Sequence, residues 1–221
     1  MILVLAESSL ELVPSEIAGH PAILSDARRR RKRPSEILLD RAKHHRAMRG
    51  LPKAEKRGRP DIVHQSALAF QYSILNKKGF GKLYIHTLSN IIIEIESNTR
   101  LPKNYNNFIG LMEQLLKEGR TPPRGRPLTR AEKGDLKELL DSLGGRWIVL
   151  HENGARVDPF ELGRRLARSV VVVGGFPHGD FENRWVLHRA DGVFRIGDYP
   201  LDSWQVVYRA VTLAEIALGL L

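Results

Sequence analysis

The chain has 221 residues, enough for one substantial α/β domain with a full core, or one domain with an appendage. Its 42% hydrophobic content excludes a disordered chain, no apolar run is long enough to span a bilayer, and the lack of cysteine excludes disulfides, thiolate metal sites and a cysteine nucleophile. The formal net charge of +10 points to a polyanionic partner, nucleic acid before membrane surface; the plainer alternative is a basic surface with no specific partner.

Residues 1–7, Met-Ile-Leu-Val-Leu-Ala-Glu, lack the basic start and full apolar stretch of a signal peptide and read as a buried strand. Together with the missing cysteines this fits a cytoplasmic protein. Residues 7–25 show no clear pattern. Arg28-Arg29-Arg30-Arg31-Lys32-Arg33 is an unbroken basic run, which reads as a solvated, mobile segment able to hold phosphates but not to read sequence. It opens a basic insertion over residues 26–58 of a single domain spanning 1–221. Within the insertion a helix is expected from Pro34 to Met48, closed by Gly50, with a charged connection over 51–58.

Residues 57–65 read Arg-Gly-Arg-Pro-Asp-Ile-Val-His-Gln. Pro60 lacks an N–H and pushes Arg59 out of helical φ/ψ, so a helix to Asn76 should start after it, with Asp61 as N-cap. Asp61 then either caps only, or stands with Arg59 at a helix N-terminus where free donors favour a phosphate or an electron-rich base.

Leu83, Ile85 and Thr87, then Ile91, Ile93 and Ile95, alternate across a short connection and predict a β-hairpin. A polar loop with Arg100 and Lys103 follows, then a helix capped by Asn104 or Asn106 with Phe108, Ile109, Leu111, Met112, Leu115 and Leu116 on its face. Residues 119–128 read as a flexible Pro/Gly/Arg loop, and Thr129-Arg130-Ala131-Glu132 as a capping box opening a helix to Gly144-Gly145.

In the last third, residues 146–150 form a strand, 158–168 a helix, and Val170-Val171-Val172-Val173 a strand buried on both faces. A further strand pair ends near Ile196, and Asp202 caps the last helix with Gln205 three residues on. This order predicts a mostly parallel sheet covered on both sides. Ligands bind beyond the carboxyl ends of such strands, where two glycine loops fall, residues 174–179 and 196–201. Spacing alone leaves these as ligand loops or structural turns, and neither is a Rossmann or P-loop motif. The eight histidines show no metal-ligand spacing, so no metal is expected. The last helix is apolar around most of its circumference, with Gln205, Arg209, Thr212 and Glu215 as a narrow polar stripe; this predicts packing on a second copy of the chain.

Three groups of motifs carry a resemblance. They are Arg59-Pro60-Asp61-Ile62-Val63-His64-Gln65; Tyr84-Ile85-His86-Thr87 with Thr99-Arg100-Leu101-Pro102 and Gly110-Leu111-Met112-Glu113-Gln114-Leu115-Leu116; and Gly174-Gly175-Phe176-Pro177-His178-Gly179 with Tyr199-Pro200-Leu201. Collinear from about Ile37 to the C-terminus, they resemble the ribosomal RNA small-subunit pseudouridine-N1 methyltransferases of the α/β-knot (SPOUT) superfamily, in their archaeal form. The resemblance implies an α/β fold with a C-terminal trefoil knot, one of the rare exceptions to unknotted chains. It also implies an inserted hairpin and helix over 77–128 for RNA binding, S-adenosylmethionine as methyl donor, a homodimer, and a small-subunit rRNA substrate with a role in subunit assembly.

Carried over residue by residue, the donor would be held by Leu150, Gly174, Gly175, Gly179, Ile196, Gly197, Asp198, Tyr199, Pro200 and Leu201. RNA would be held by Arg59, Arg100 and Lys103. Asn107 stands where many relatives carry a basic residue, and Lys103 where arginine is frequent, which loses a bidentate phosphate grip. Arg59 would stabilise charge on the base. Asp61 would be either the general base or the support of Arg59, and a carboxylate paired with a guanidinium is the poorer base. Two other classes predict different behaviour: an rRNA-binding assembly factor with secondary or lost activity, and a nonspecific basic RNA binder.

Overall fold

A computed structural model describes residues 1–221. One eight-stranded sheet organises the chain, in the order β4-β5-β3-β2-β1-β7-β6-β8. Its parallel part comprises β2 (Lys82–Thr87), β1 (Ile2–Ser8), β7 (Val170–Gly174), β6 (Trp147–Ala155) and β8 (Gly192–Phe194). The other end is antiparallel: β2 pairs with β3 (Ile91–Ile95), which continues through β5 (Thr129–Lys133) to β4 (Arg120–Thr121).

The valine run shows why both faces are covered. Val171 and Val173 join the larger core with residues of α3 (Pro60–Gln71), α7 (Pro159–Ala167) and α9 (Ser203–Ala217). Val170 and Val172 face the other way, onto α6 (Leu136–Ser142) and α8 (Trp185–His188). Period-two alternation makes each face apolar, so every residue of β7 needs cover. Gly163 lets α7 approach α9 closely, since a Cβ there would lie 2.3 Å from the Leu213 carbonyl oxygen. The hairpin and α5 (Tyr105–Glu118) form as expected, with the Asn104 side chain capping α5 and Asp158 capping α7. At α9 the Asp202 N–H donates to the Gln205 side chain.

Several expectations fail. Residues 34–48 are not one helix: a 3-10 turn at Pro34–Glu36 and a bridge from Leu38 to Leu12 precede the short α2 (Arg41–His44) and a second 3-10 turn, Ala47–Gly50. Their apolar residues Ile37, Leu39 and Met48 close a small separate core with Val13 and with Ile23 and Ala27 of α1 (Pro21–Arg29). Thr129-Arg130-Ala131-Glu132 is strand β5; the box that opens α6 is Asp135 with Glu138, whose side chains take each other's backbone N–H. The loop over 119–128 is correspondingly shorter, because β4 pairs with β5 at Arg120 and Thr121. Only one strand, β8, precedes Ile196, next to the helical turn α8. The helix expected to Asn76 divides into α3 and α4 (Ile74–Lys77).

The basic run is not simply solvated. Arg28 and Arg29 lie in α1, while Arg30 and Lys32 each reach the Glu113 carboxylate on α5 at 2.6 Å. Glu113 is buried and also accepts the Leu38 N–H at 2.8 Å.

Candidate active site

Beyond the carboxyl ends of β6 and β7 lies a cleft of about 440 Å³. Its walls are the two glycine loops, Leu150 of β6, Val173 near the end of β7, and Ser203 and Val206 from α9. Eight of the ten residues expected to hold a donor line it: Leu150, Gly174, Gly179, Ile196, Gly197, Tyr199, Pro200 and Leu201. Gly179 (φ +84°) and Gly197 (φ +79°) take the left-handed conformation that glycine adopts without a steric penalty.

Gly175 and Asp198 are placed differently. Gly175 packs on the end of β1, where a Cβ would fall 2.2 Å from Ser8 Oγ; its N–H donates to Ala6 O and its carbonyl accepts from Ser9 N–H. Asp198 turns to Arg195 at 3.4 Å and Arg156 at 3.5 Å. Sequence reasoning missed His151, Phe181, Arg195, Asp202 and Gln205 as lining residues. No motif marks them individually; adjacency to the glycine loops was the only available signal for Phe181, Arg195 and Asp202.

The cleft has the attributes of a nucleoside-sized site. Its volume is in the range of small-molecule pockets. No hydrogen bond within the chain takes the backbone N–H groups of Ile196, Gly197, Asp198, Tyr199 and Leu201. Arg195 Nε, buried in the wall, also lacks a partner. Leu150, Val173, Ile196, Leu201 and Val206 supply apolar surface. A flat polar ring system with an apolar rim, such as the adenosyl group of S-adenosylmethionine, fits that set of donors and walls.

At the start of α3, Arg59 rather than Asp61 is the N-cap residue, Pro60 is the first helical residue, and Asp61 makes no capping bond. A proline at the first helical position needs no donor, which moves the N-cap two residues earlier than expected. Asp61 instead takes Arg59 Nε at 2.9 Å and Nη2 at 2.8 Å. Arg59 is held above the ordinary arginine range, first by that hydrogen bond, with Asp202 of the cleft wall contributing at longer range. Tyr105 is pushed up by burial first and then by Asp40, whose carboxylate it meets at 3.1 Å.

The loop with Arg100 and Lys103 is fastened to α3. Gln71 Nε2 donates to the carbonyls of Glu96, Ser97 and Thr99, Tyr72 Oη donates to Leu101 O, and His64 bonds Pro102 O at 2.8 Å. Arg100, Lys103 and Asn107 are exposed, with the Lys103 ammonium 5.2 Å from the Tyr72 ring centre. One helix therefore carries Arg59 at its start and steadies the loop of further cations from its side.

A parallel α/β sheet with a donor-rich cleft at its strand ends, beside a fixed arginine, defines a ligand-binding α/β protein with an anion-facing surface. A family model described as EMG1/NEP1 methyltransferase matches residues 3–215, and the chain belongs to that family of methyltransferases. Among its relatives, the "Ribosomal RNA small subunit methyltransferase Nep1" of Pyrobaculum islandicum is 61% identical over 221 residues, covering 100% of both chains. The protein of the same name from Thermococcus kodakarensis is 45% identical over 224 aligned positions, covering 99% of each. A crystal structure of Archaeoglobus fulgidus Nep1 bound to S-adenosylhomocysteine superimposes with a TM-score of 0.86 at 40% identity, covering 99% of this chain and 98% of that one. At that similarity the two share one fold, the SPOUT-type fold that the motifs implied.

Proposed function

We propose that this chain transfers a methyl group from S-adenosylmethionine to N1 of a pseudouridine in small-subunit rRNA, and that it acts in small-subunit biogenesis. The observation that carries the reading is the junction of the two halves of the site. Arg59 donates its backbone N–H to Ser9 Oγ at 2.9 Å, and Ser9 donates its own N–H to the Gly175 carbonyl at 2.9 Å. The arginine that would face the base is thus two hydrogen bonds, through Ser9, from the loop that would hold the donor.

S-adenosylmethionine, when bound, supplies an electrophilic methyl group. Leu150, Gly174, Gly179 and residues 196–201 would hold it, with Gly175 setting the loop against β1. Arg59, Arg100 and Lys103 would hold RNA phosphates, and Asn107 stands beside them as an uncharged contact, all within the extension over 77–128 and the start of α3. Presenting one base edge to the methyl group does most of the catalytic work, because fixed orientation replaces a bimolecular encounter. N1 would release its proton to solvent water as the methyl group is taken from the sulfonium, leaving S-adenosylhomocysteine, and the negative charge that builds on the ring carbonyls would be stabilised by the Arg59 guanidinium. Asp61 fixes the plane of that guanidinium through both its oxygens.

The exposed Tyr208 and Ile216 of α9, with Thr212 between them at helical spacing, support a homodimer built on this helix. Glu215 does not belong to that outer stripe: it is buried and accepts the Leu75 N–H at 2.9 Å. A cytoplasmic location accords with an rRNA substrate. The test is methyl transfer to a short small-subunit hairpin carrying either uridine or pseudouridine at the target. Transfer to pseudouridine alone supports the reading; donor binding with transfer to neither supports an assembly factor without methyltransferase activity.

A further inference from the structure

Lys56 belongs to the basic insertion, yet its side chain is only 6% exposed. Its ammonium group has three partners, and all lie in the segment that follows β7. It donates to the Asp180 carbonyl, pairs with Glu182 Oε1 at 2.7 Å, and sits 4.7 Å from the centre of the Phe176 ring. A Cβ on Gly179 would lie 3.2 Å from Lys56 Cε, so the lysine stem also packs against the loop backbone. A buried ammonium is tolerated only when its donors are met, and three directional partners in one loop fix that loop's shape.

The residues after Lys56 are tied as firmly. Arg57 grips Glu11 through two bonds of 2.7 and 2.6 Å, and the Gly58 carbonyl accepts from Arg41 N–H at 2.7 Å. Arg59 then reaches Gly175 through Ser9. One four-residue stretch therefore meets the glycine loop at two places, near residue 175 and near residues 180–182.

We propose that Lys56 is a positioning residue for methyl-donor binding, fastening the donor loop to the same stretch of chain that carries Arg59. This rests on the reading that the cleft holds S-adenosylmethionine. Lys56 is enclosed and cannot reach RNA, so its effect is on the donor and on the spacing between donor and base.

The test uses the full-length protein, with calorimetric titration of S-adenosylmethionine and steady-state methyl transfer. Lys56→Met keeps the stem over Phe176 and removes every donor. It is expected to raise the donor's Kd and KM about tenfold while kcat at saturating donor falls less than about threefold. Lys56→Arg restores a cation and should return the Kd to within about threefold of the parent. Affinity for the RNA hairpin at fixed salt should stay within about twofold in both variants. A role in stability alone would lower Tm and leave KM for the donor unmoved at temperatures where the protein is folded. Donor binding by Lys56→Met at the parent Kd overturns the proposal. If Lys56→Met does not fold, Glu182→Gln removes one partner's charge and should still raise the Kd about threefold; no rise overturns the proposal equally. Failure of the parent protein to bind the donor refutes the cleft reading itself and takes this inference with it.

Discussion

Arg59 and Asp61 are joined by two parallel hydrogen bonds, guanidinium Nε and Nη2 each meeting a separate carboxylate oxygen. Both side chains are 36% exposed, so the pair is not a buried core interaction but an oriented group at the surface. A charge-assisted fork of this kind fixes the plane of the guanidinium as well as its place. Its value lies in direction more than in stability, since a half-exposed ion pair contributes at most about 1 kcal/mol.

Arg59→Ala is therefore expected to lower single-turnover methyl transfer about 100-fold, the scale of losing one preorganised charge-stabilising group. Arg59→Lys should recover little, because an ammonium cannot reproduce the fork. Asp61→Asn should lie between parent and Arg59→Ala. Transfer at the parent rate by Arg59→Ala, with RNA bound, would exclude the role given to Arg59.

The two glycine positions separate packing from conformation. Gly175→Ala forces a Cβ into Ser8 and should destabilise the fold by about 2 kcal/mol while weakening donor binding. Gly197→Ala meets no atom within 4 Å and pays only for its positive φ, about 1 kcal/mol. Thermal melts with and without donor check both; equal losses would contradict the distinction.

Glu113 accepts from Arg30, Lys32 and the Leu38 N–H from a side chain that is 1% exposed. Glu113→Ala leaves the buried Leu38 N–H without an acceptor and releases the part-exposed Arg30 and Lys32 to solvent, and is expected to cost about 2 kcal/mol of unfolding free energy, read from denaturant midpoints. Arg28→Ala, exposed and without that partner, should change stability by less than about 0.5 kcal/mol.

His44 is fully buried; its Nδ1 accepts the Asp40 N–H at 3.0 Å, and burial lowers its pKa against the pull of Asp26 and Asp40. His86 is likewise lowered, chiefly by burial. The unfolded chain takes up protons near the ordinary histidine value of about 6.5 while the folded chain resists them, so the unfolded state binds more protons below that value. Stability is thus complete above about pH 7 and is lost as pH falls through and below the ordinary histidine range. Tm should decline over that interval, less steeply in His86→Asn. A flat or rising Tm would show that these histidines do not govern the acid limb.

Tyr208→Glu on α9 is expected to convert the proposed dimer to monomers, measured by light scattering at fixed concentration, because it places a charge on the exposed face that Tyr208 shares with Ile216. An unchanged mass would move the interface elsewhere.

Much of this architecture is local in origin. The alternation of the isoleucines in β3, the uninterrupted valines of β7, and the caps Asn104, Asp158 and Asp202 act within a few residues, so pattern and propensity alone place those elements. Arg59, Asp61 and the glycine loops stand out locally, through proline beside aspartate and glycine at a strand end, but the roles expected of them came from the family resemblance, and local pattern alone misplaced the cap of α3. Where long-range pairing decides, local pattern misleads. Thr129-Arg130-Ala131-Glu132 has the form of a helix start, but β3 offers an open edge and the segment completes the sheet. Ile37, Leu39 and Met48 have no helical partner face and are drawn into a small core with Ile23. Composition, pattern and motif by themselves determined a basic α/β protein of this methyltransferase family, with glycine loops at its strand ends and an arginine where the chain enters α3. Only the tertiary structure decided that Lys56, one of thirty-five lysines and arginines, and Glu113, one of twenty-five acidic residues, are buried fasteners. Charge and spacing in a sequence do not say which polar groups will be enclosed; that depends on which distant segment brings the carbonyls, carboxylates and N–H groups to meet them.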